Sequence, residues 1–95
     1  MSAYIIADVT VTNEAQMKQY REWSTRAMQE FDAEVLVRGG RVVPLEENWA
    51  PSRVVVLKFK NLEVAQAYYH SETYTHARKL REGAGSIRMI AVEGV

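Results

Sequence analysis

Apolar positions recur along the chain with two different periods, which divide it into strands and helices. Runs rich in Val and Ile predict four strands, at 4–11, about 34–38, 53–59 and 87–92. The second strand is expected to resume after Gly39-Gly40 as far as Val43. Apolar residues at helical spacing predict one helix after the first strand and a helical region after the third. The predicted order of elements is therefore βαββαβ.

Polar residues mark where the predicted helices begin and end. Asn13, Asn61 and Ser71 each precede a helical pattern and are side chains that cap helix N-termini well. The cap at Ser71 divides the second helical region into two segments, and Gly83-Ala84-Gly85 is expected to end it. The first helix carries one apolar stripe, formed by Met17, Tyr20, Ser24, Ala27, Met28 and Phe31.

A faint internal repeat indicates how these elements assemble. Asn13 and Tyr20 in the first half correspond in position to Asn61 and Tyr68 in the second. Two equivalent strand-to-helix junctions are typical of a split βαβ unit. The sequence thus predicts an α+β ferredoxin-like fold with a four-stranded antiparallel sheet and two helices on one face. Within it, right-handed crossovers are expected to set the first and third strands parallel at the centre.

Alternation along the strands predicts a second, uncovered face of the sheet. Val9 and Leu57 are assigned to the helix side, and so are Val35 and Val37 by the same alternation. The open face then carries a polar and an apolar set: Tyr4, Asp8, Thr10, Glu34, Arg38 and Lys58, together with Ile6, Leu36, Val54 and Val56. A patch this apolar usually marks an interface. We therefore expect a homodimer in which a second copy covers the open face.

Composition sets bounds on the possible functions. The 95 residues are expected to form a single domain over 1–95, and 47% of them are hydrophobic. Twelve basic residues balance twelve acidic ones, which argues against nucleic acid or an anionic membrane as a partner. The chain contains no cysteine. The sequence shows no pattern of a signal peptide and no apolar run long enough for a membrane span, so we expect a cytoplasmic location.

Asp8 is the strongest single candidate for chemistry. A carboxylate in the middle of a central strand is costly to bury without a partner. Lys58 is expected to lie near it on the neighbouring strand, and Arg38 could reach it from the sheet edge. The cluster would either bind a ligand or supply a base. The alternative is a structural ion pair.

Arg38 stands directly before Gly39-Gly40, and this arrangement has two interpretations. A guanidinium suits a carboxylate or enolate, and glycines let the backbone approach a ligand. Gly-Gly also commonly marks a bulge or turn, in which case Arg38 would pair with Glu46 or Glu47.

Two aromatic residues and two histidines complete the candidates. Tyr74 either packs the second helix on the sheet or presents its hydroxyl to a pocket, and Trp49, in a polar loop, is expected to anchor an interface or cover a pocket. His70 and His76 are spaced wrongly for a helical metal pair and are expected at the surface. We predict no metal site.

The chain resembles the domain of unknown function family 1330 over nearly its whole length. The matching blocks are Leu36 to Gly40, Glu46-Glu47, Val54 to Phe59, Leu62 to Ala65, Ser71 to Tyr74 and Val92 to Val95. The resemblance implies a ferredoxin-like protomer that pairs as a dimeric α/β barrel, a superfamily of small oxygenases, isomerases, haem-degrading enzymes and proteins with no established activity. Members often carry Gly-Gly after the first helix, where this chain has Asp32-Ala33.

These observations favour one function and leave two alternatives. The leading hypothesis is a small-molecule site between sheet and helices, lined by Asp8, Arg38 and Tyr74, for simple binding or a cofactor-independent oxygenase or isomerase reaction. A structural or regulatory dimer without a ligand is the first alternative. The second alternative is a haem-binding relative that uses His76. Our expectation, however, is that the protein has no cofactor.

Overall fold

The structure, a computed structural model, describes all 95 residues and has the expected ferredoxin-like architecture. All three strand pairings are antiparallel, in the order β2-β3-β1-β4. The helices cover one face of the sheet. The elements are β1 (Ala3–Val11), α1 (Glu14–Glu30), β2 (Glu34–Arg38), β3 (Arg53–Phe59), α2 (Leu62–His70), α3 (Glu72–Leu80) and β4 (Gly85–Glu93).

The helices begin at the three residues that the sequence indicates. Asn13 accepts a hydrogen bond from the Gln16 amide at 3.0 Å, and Asn61 accepts one from the Val64 amide at 2.9 Å. Ser71 ends α2 and also caps α3, where its hydroxyl accepts from the Tyr74 amide at 3.1 Å. The break predicted within the second helical region is therefore confirmed. None of the three helices has the length and apolar character that a membrane span requires.

The expectation that β1 and β3 run parallel is wrong. They are neighbours at the centre of the sheet, but they run antiparallel. The β1-α1-β2 crossover leaves β1 and β2 running in the same direction, and the direct connection from β2 to its neighbour β3 then reverses the chain. As a result Lys58 pairs with Tyr4, whereas Asp8 pairs with Val54. Lys58 is thus at the far end of the strand pair from Asp8.

A β-bulge in β2 reverses the faces predicted for the end of that strand. Val35 pairs with Leu57, but the next pair along is Val37 with Val56, so that Leu36 is the extra residue. Because residues that pair directly share a face, Val37 turns to the open side. Arg38, opposite Val55, turns to the helix side. The sheet faces predicted for the Val37 and Arg38 side chains are therefore wrong, because the bulge shifts the alternation by one residue.

The second strand ends at Arg38 and does not resume towards Val43 as expected. The Gly39 amide donates to the Val54 carbonyl at 2.9 Å, and the chain then leaves the sheet. Residues 40–52 contain no helix or strand and return to the sheet at Arg53. The bulge and the turn at Gly39 together fix where Arg38 and Arg53 lie.

The core fills the space between the helices and the covered face of the sheet. The alternation predicted for β1 is confirmed, since Ala3, Ile5, Ala7 and Val9 are all buried. The largest fully buried side chains are Tyr68, Tyr74, Phe59 and Met17. On the open face several apolar side chains remain exposed: Ile6, Leu36, Val37, Ile90 and Val92.

Candidate functional site

A cavity of about 690 Å³ lies between α1 and the covered face of the sheet. Small side chains line it from both sides, Ala7 and Val9 from β1 and Ser24 from α1. Further along, α1 packs against α3 rather than on the sheet. The apolar part of the lining consists of Ile5, Ala7, Val9, Met17, Met28, Val55, Leu57, Ile87 and Met89.

Basic side chains surround the opening of this cavity. We call Lys18, Arg21, Arg26, Arg38 and Arg53 the rim, since all five line the cavity and all are at least partly exposed. Glu22 is the only acidic residue among the lining side chains. The rim therefore gives the entrance a positive potential.

Four of the five rim side chains, all except Arg21, have no carboxylate partner within the protein. The two salt bridges join Arg21 to Glu14 and Arg88 to Asp8, so Arg38 and Arg53 have no carboxylate partner. The pairing of Arg38 with Glu46 or Glu47, left open by the sequence, does not occur. Gly39 has a positive φ of 66°, and a Cβ there would lie 2.5 Å from the Arg53 guanidinium. Glycine at this turn lets the Arg53 side chain lie against the backbone beside Arg38.

Buried tyrosines form the inner wall of the cavity, which we define as Tyr20 and Tyr68. The Tyr20 hydroxyl hydrogen-bonds the hydroxyl of Tyr74 at 2.7 Å. Burial raises the pKa of Tyr20 and Tyr68 far above 10.0, the usual tyrosine value, and Arg81 offsets this effect only in part. Burial also raises the pKa of Tyr74. These phenols therefore stay protonated and act as hydrogen-bond donors.

Of the five residues predicted to bind a ligand, the structure places one at the cavity. Arg38 is in the rim, because the bulge turns it inward. Tyr74 does not line the cavity and lies behind Tyr20 and Tyr68, which do. Trp49 lies in the 40–52 segment, is 65% exposed and does not line the cavity.

Asp8 and Lys58 lie on the open face, away from the cavity, and do not meet. Asp8 instead forms a salt bridge with Arg88 of β4 at 2.8 Å. The Asp8 side chain is 21% exposed and that of Arg88 is 78% exposed. The predicted Asp8–Lys58 contact is thus wrong, because it assumed the parallel register. The ionic partner is supplied by β4, which pairs Arg88 directly opposite Asp8.

The histidines lie outside the large cavity. His76 packs edge-on against Trp23 of α1, with ring centroids 4.4 Å apart. His70 lines a smaller cavity of about 330 Å³ between α2 and β4, together with Arg81. No group of three His, Cys, Asp or Glu side chains comes together as a metal site.

The sequence reasoning missed Arg53, Tyr20, Tyr68 and the rim residues of α1. Tyr20 and Tyr68 were visible as the repeated aromatic, but the helical stripe assigned them to packing alone. Lys18, Arg21 and Arg26 were visible as a basic face of α1. The periodicity of α1 does not indicate that this basic face borders a cavity.

Comparison with solved structures finds the same fold at low sequence identity. A protein of unknown function from Rhodopseudomonas palustris matches at 12% identity and a TM-score of 0.73, over 99% of this chain and 82% of that one. A dimeric ferredoxin-like protein of unknown function from Jannaschia sp. matches at 16% identity and a TM-score of 0.68, over 99% of this chain and 100% of that one.

A third structure carries a functional description. It is a candidate antibiotic biosynthesis monooxygenase from Caulobacter crescentus, matched at 9% identity and a TM-score of 0.62 over 99% of this chain and 90% of that one. No curated protein sequence matches this chain. At such identities the structures establish the ferredoxin-like fold and leave function open.

The sequence itself matches one family over almost its entire length. The match to the domain of unknown function DUF1330 extends over residues 2–95. This agrees with the resemblance carried by the Arg38-Gly39-Gly40 turn and the Val54 to Phe59 strand. The chain belongs to the DUF1330 family.

Proposed function

We propose that this protein binds a small organic carboxylic acid in the cavity between α1 and the sheet. The observation that carries the proposal is the pair of uncompensated arginines, Arg38 and Arg53, at the opening of an apolar cavity. A guanidinium presents parallel donors that match the two oxygens of a carboxylate. A ligand carboxylate would supply the acid that the protein does not provide to these two side chains.

The size and lining of the cavity suit this class of ligand. Its volume of about 690 Å³ lies within the ordinary range for small-molecule sites, which is roughly 300–1,000 Å³. Most of the lining side chains are apolar, and the charged ones, the rim and Glu22, are all at least partly exposed. An acid with an apolar body can therefore bury the body while its carboxylate stays at the opening.

The lining favours binding over general-base catalysis. It contains no buried carboxylate or imidazole, and its inner tyrosines stay protonated. A cofactor-independent oxygenase or isomerase reaction is the second candidate, favoured by the fold shared with candidate antibiotic biosynthesis monooxygenases. Oxygen consumption or product formation on mixing with a bound acid would separate turnover from simple binding.

The protein would act as a homodimer through its open sheet face. Relatives of the same fold from Bacteroides fragilis, Jannaschia sp. and Thermobifida fusca are described as dimeric. The apolar open face of this chain supports the same arrangement. In this arrangement each protomer keeps its own cavity on the opposite, helix-covered side of the sheet.

Calorimetric titration with a panel of small aromatic and aliphatic carboxylic acids tests the proposal. We expect saturable binding of at least one acid, weakened about tenfold or more by Arg38→Ala, because the charge-assisted hydrogen bonds are lost. Arg41→Ala is the matched control, since Arg41 carries the same charge nearby but does not line the cavity.

Three outcomes would contradict this function. An equal loss of affinity in both variants would show that only net charge matters. The absence of saturable binding across the panel would favour the structural or regulatory dimer without a ligand. A Soret absorption band in the purified protein would favour the haem-binding alternative.

A further inference from the structure

We propose that the bound acid carries a second polar oxygen, a hydroxyl or a carbonyl, which the hydroxyls of Tyr68 and Tyr20 bind at the inner wall. The ligand class is thus an aromatic hydroxy- or oxo-carboxylic acid. This inference rests on the proposed function and specifies the end of the ligand opposite its carboxylate.

The first observation is an unmatched hydroxyl on Tyr68. This side chain is only 1% exposed and lines the cavity, yet its hydroxyl makes no hydrogen bond within the protein. The neighbouring tyrosine hydroxyls do have partners, since Tyr20 pairs with Tyr74 and Tyr69 accepts from Arg78. The hydroxyl is not among the fully enclosed polar atoms that lack a partner, so it reaches accessible space and is free to bind a molecule in the cavity.

The second observation comes from counting protons in the Tyr20–Tyr74 pair. Each hydroxyl brings one proton, but the 2.7 Å contact between them uses only one. Neither hydroxyl has another acceptor in the protein, so one proton remains available. Either hydroxyl can be the donor in this contact, and the remaining proton lies on Tyr20, at the cavity, only in the orientation in which Tyr74 donates.

The Tyr68 proton, and the Tyr20 proton when Tyr74 donates to Tyr20, call for an acceptor in the ligand. Because burial raises the pKa of both inner-wall tyrosines above the usual tyrosine value, they are protonated at neutral pH. A carbonyl or hydroxyl oxygen accepts from such donors, whereas a methyl group of similar size cannot. The inner wall therefore favours ligands that carry an oxygen atom at the end that lies against Tyr20 and Tyr68.

The middle of the cavity favours an aromatic body between the two polar ends. Three of the four methionines in the chain, Met17, Met28 and Met89, line it. Thioether sulfurs make favourable contacts with aromatic rings and adapt to their shape. Leu57 and Val55 complete an apolar wall on the sheet side.

The test compares pairs of acids of nearly equal shape: 4-hydroxybenzoate with 4-methylbenzoate, and 4-hydroxyphenylacetate with 4-methylphenylacetate. For at least one pair, we expect the hydroxy acid to bind the unaltered protein about tenfold more tightly. Tyr68→Phe should reduce that ratio to near one while the methyl acid keeps its affinity. Tyr20→Phe should reduce it in part.

Tyr69→Phe is the control, because it removes a hydroxyl of the same kind from a residue outside the large cavity. It should preserve the hydroxyl preference, and circular dichroism should show all three variants folded. Equal binding of the hydroxy and methyl acids in both pairs would overturn the inference and leave the proposed function standing. A preference that survives Tyr68→Phe and Tyr20→Phe would also overturn it. If no acid binds, the proposed function itself fails.

Discussion

Asp32 ends the first helix in a conformation that most residues avoid. Its φ is 52°, in the left-handed region. The Ala33 amide donates to the Met28 carbonyl at 2.9 Å, and the Asp32 amide donates to the Gln29 carbonyl at 3.4 Å. This is the Schellman pattern of a helix C-terminus, which usually places glycine where Asp32 stands. Aspartate tolerates the conformation better than most side chains, so the departure from Gly-Gly leaves the fold intact.

Asp32→Gly should stabilise the protein. The left-handed conformation costs a residue with a Cβ roughly 1–2 kcal/mol, and the greater flexibility of glycine in the unfolded chain offsets part of the gain. We expect the free energy of unfolding in urea to rise by about 0.5–1 kcal/mol. Ala33→Gly is the control and should lower it, because Ala33 has no positive φ to relieve. A loss of stability in Asp32→Gly would contradict this account.

At the scale of elements, the features predicted correctly from the sequence are those that residues close together in the chain determine. The caps at Asn13, Asn61 and Ser71 follow from side chains within three positions of the bonds they make. The register between strands depends on residues far apart in sequence, so the Asp8–Arg88 pair was not foreseen. The bulge at Leu36 adds one residue, which moves every later side chain of β2 to the other face. For this reason Arg38, which was predicted on the open face, lies on the helix side, where it lines the cavity.

The contact between β1 and β4 depends on a glycine at the start of β4. A Cβ on Gly85 would lie 2.0 Å from the Thr10 carbonyl oxygen, and the φ of Gly85 is 149°. Alanine at position 85 would force the backbone of β1 and β4 apart and would also adopt a strained φ. We therefore expect Gly85→Ala to lower the free energy of unfolding, measured by chemical denaturation, by about 2 kcal/mol or more. Gly40→Ala should change stability by less than about 0.5 kcal/mol, since no atom lies within 4 Å of its added Cβ. Similar losses in the two variants would disprove the close approach.

At the scale of the whole molecule, the protomer exposes more surface than its mass requires. Its accessible surface is 6420 Å², about 900 Å² above the roughly 5,500 Å² expected for a compact 10.8 kDa monomer. One partner in a standard interface buries about 800 Å². The molecule is also flat, with extents of 34 × 32 × 16 Å, because helices cover only one face of the sheet. The open face is therefore the part of this surface that a second copy would cover.

Ile90→Glu should convert the expected homodimer into a folded monomer. Ile90 lies on the open face opposite Ile6 and is 60% exposed in the protomer, so the substitution barely touches the core. In the dimer, however, it would bury an unpaired carboxylate. Light scattering at micromolar concentration should give twice 10.8 kDa for the unaltered protein and 10.8 kDa for the variant. Gln19→Glu, an equal change of charge at an exposed position of α1, should remain dimeric. A monomeric unaltered protein would refute the pairing, whereas a dimeric Ile90→Glu would place the interface elsewhere.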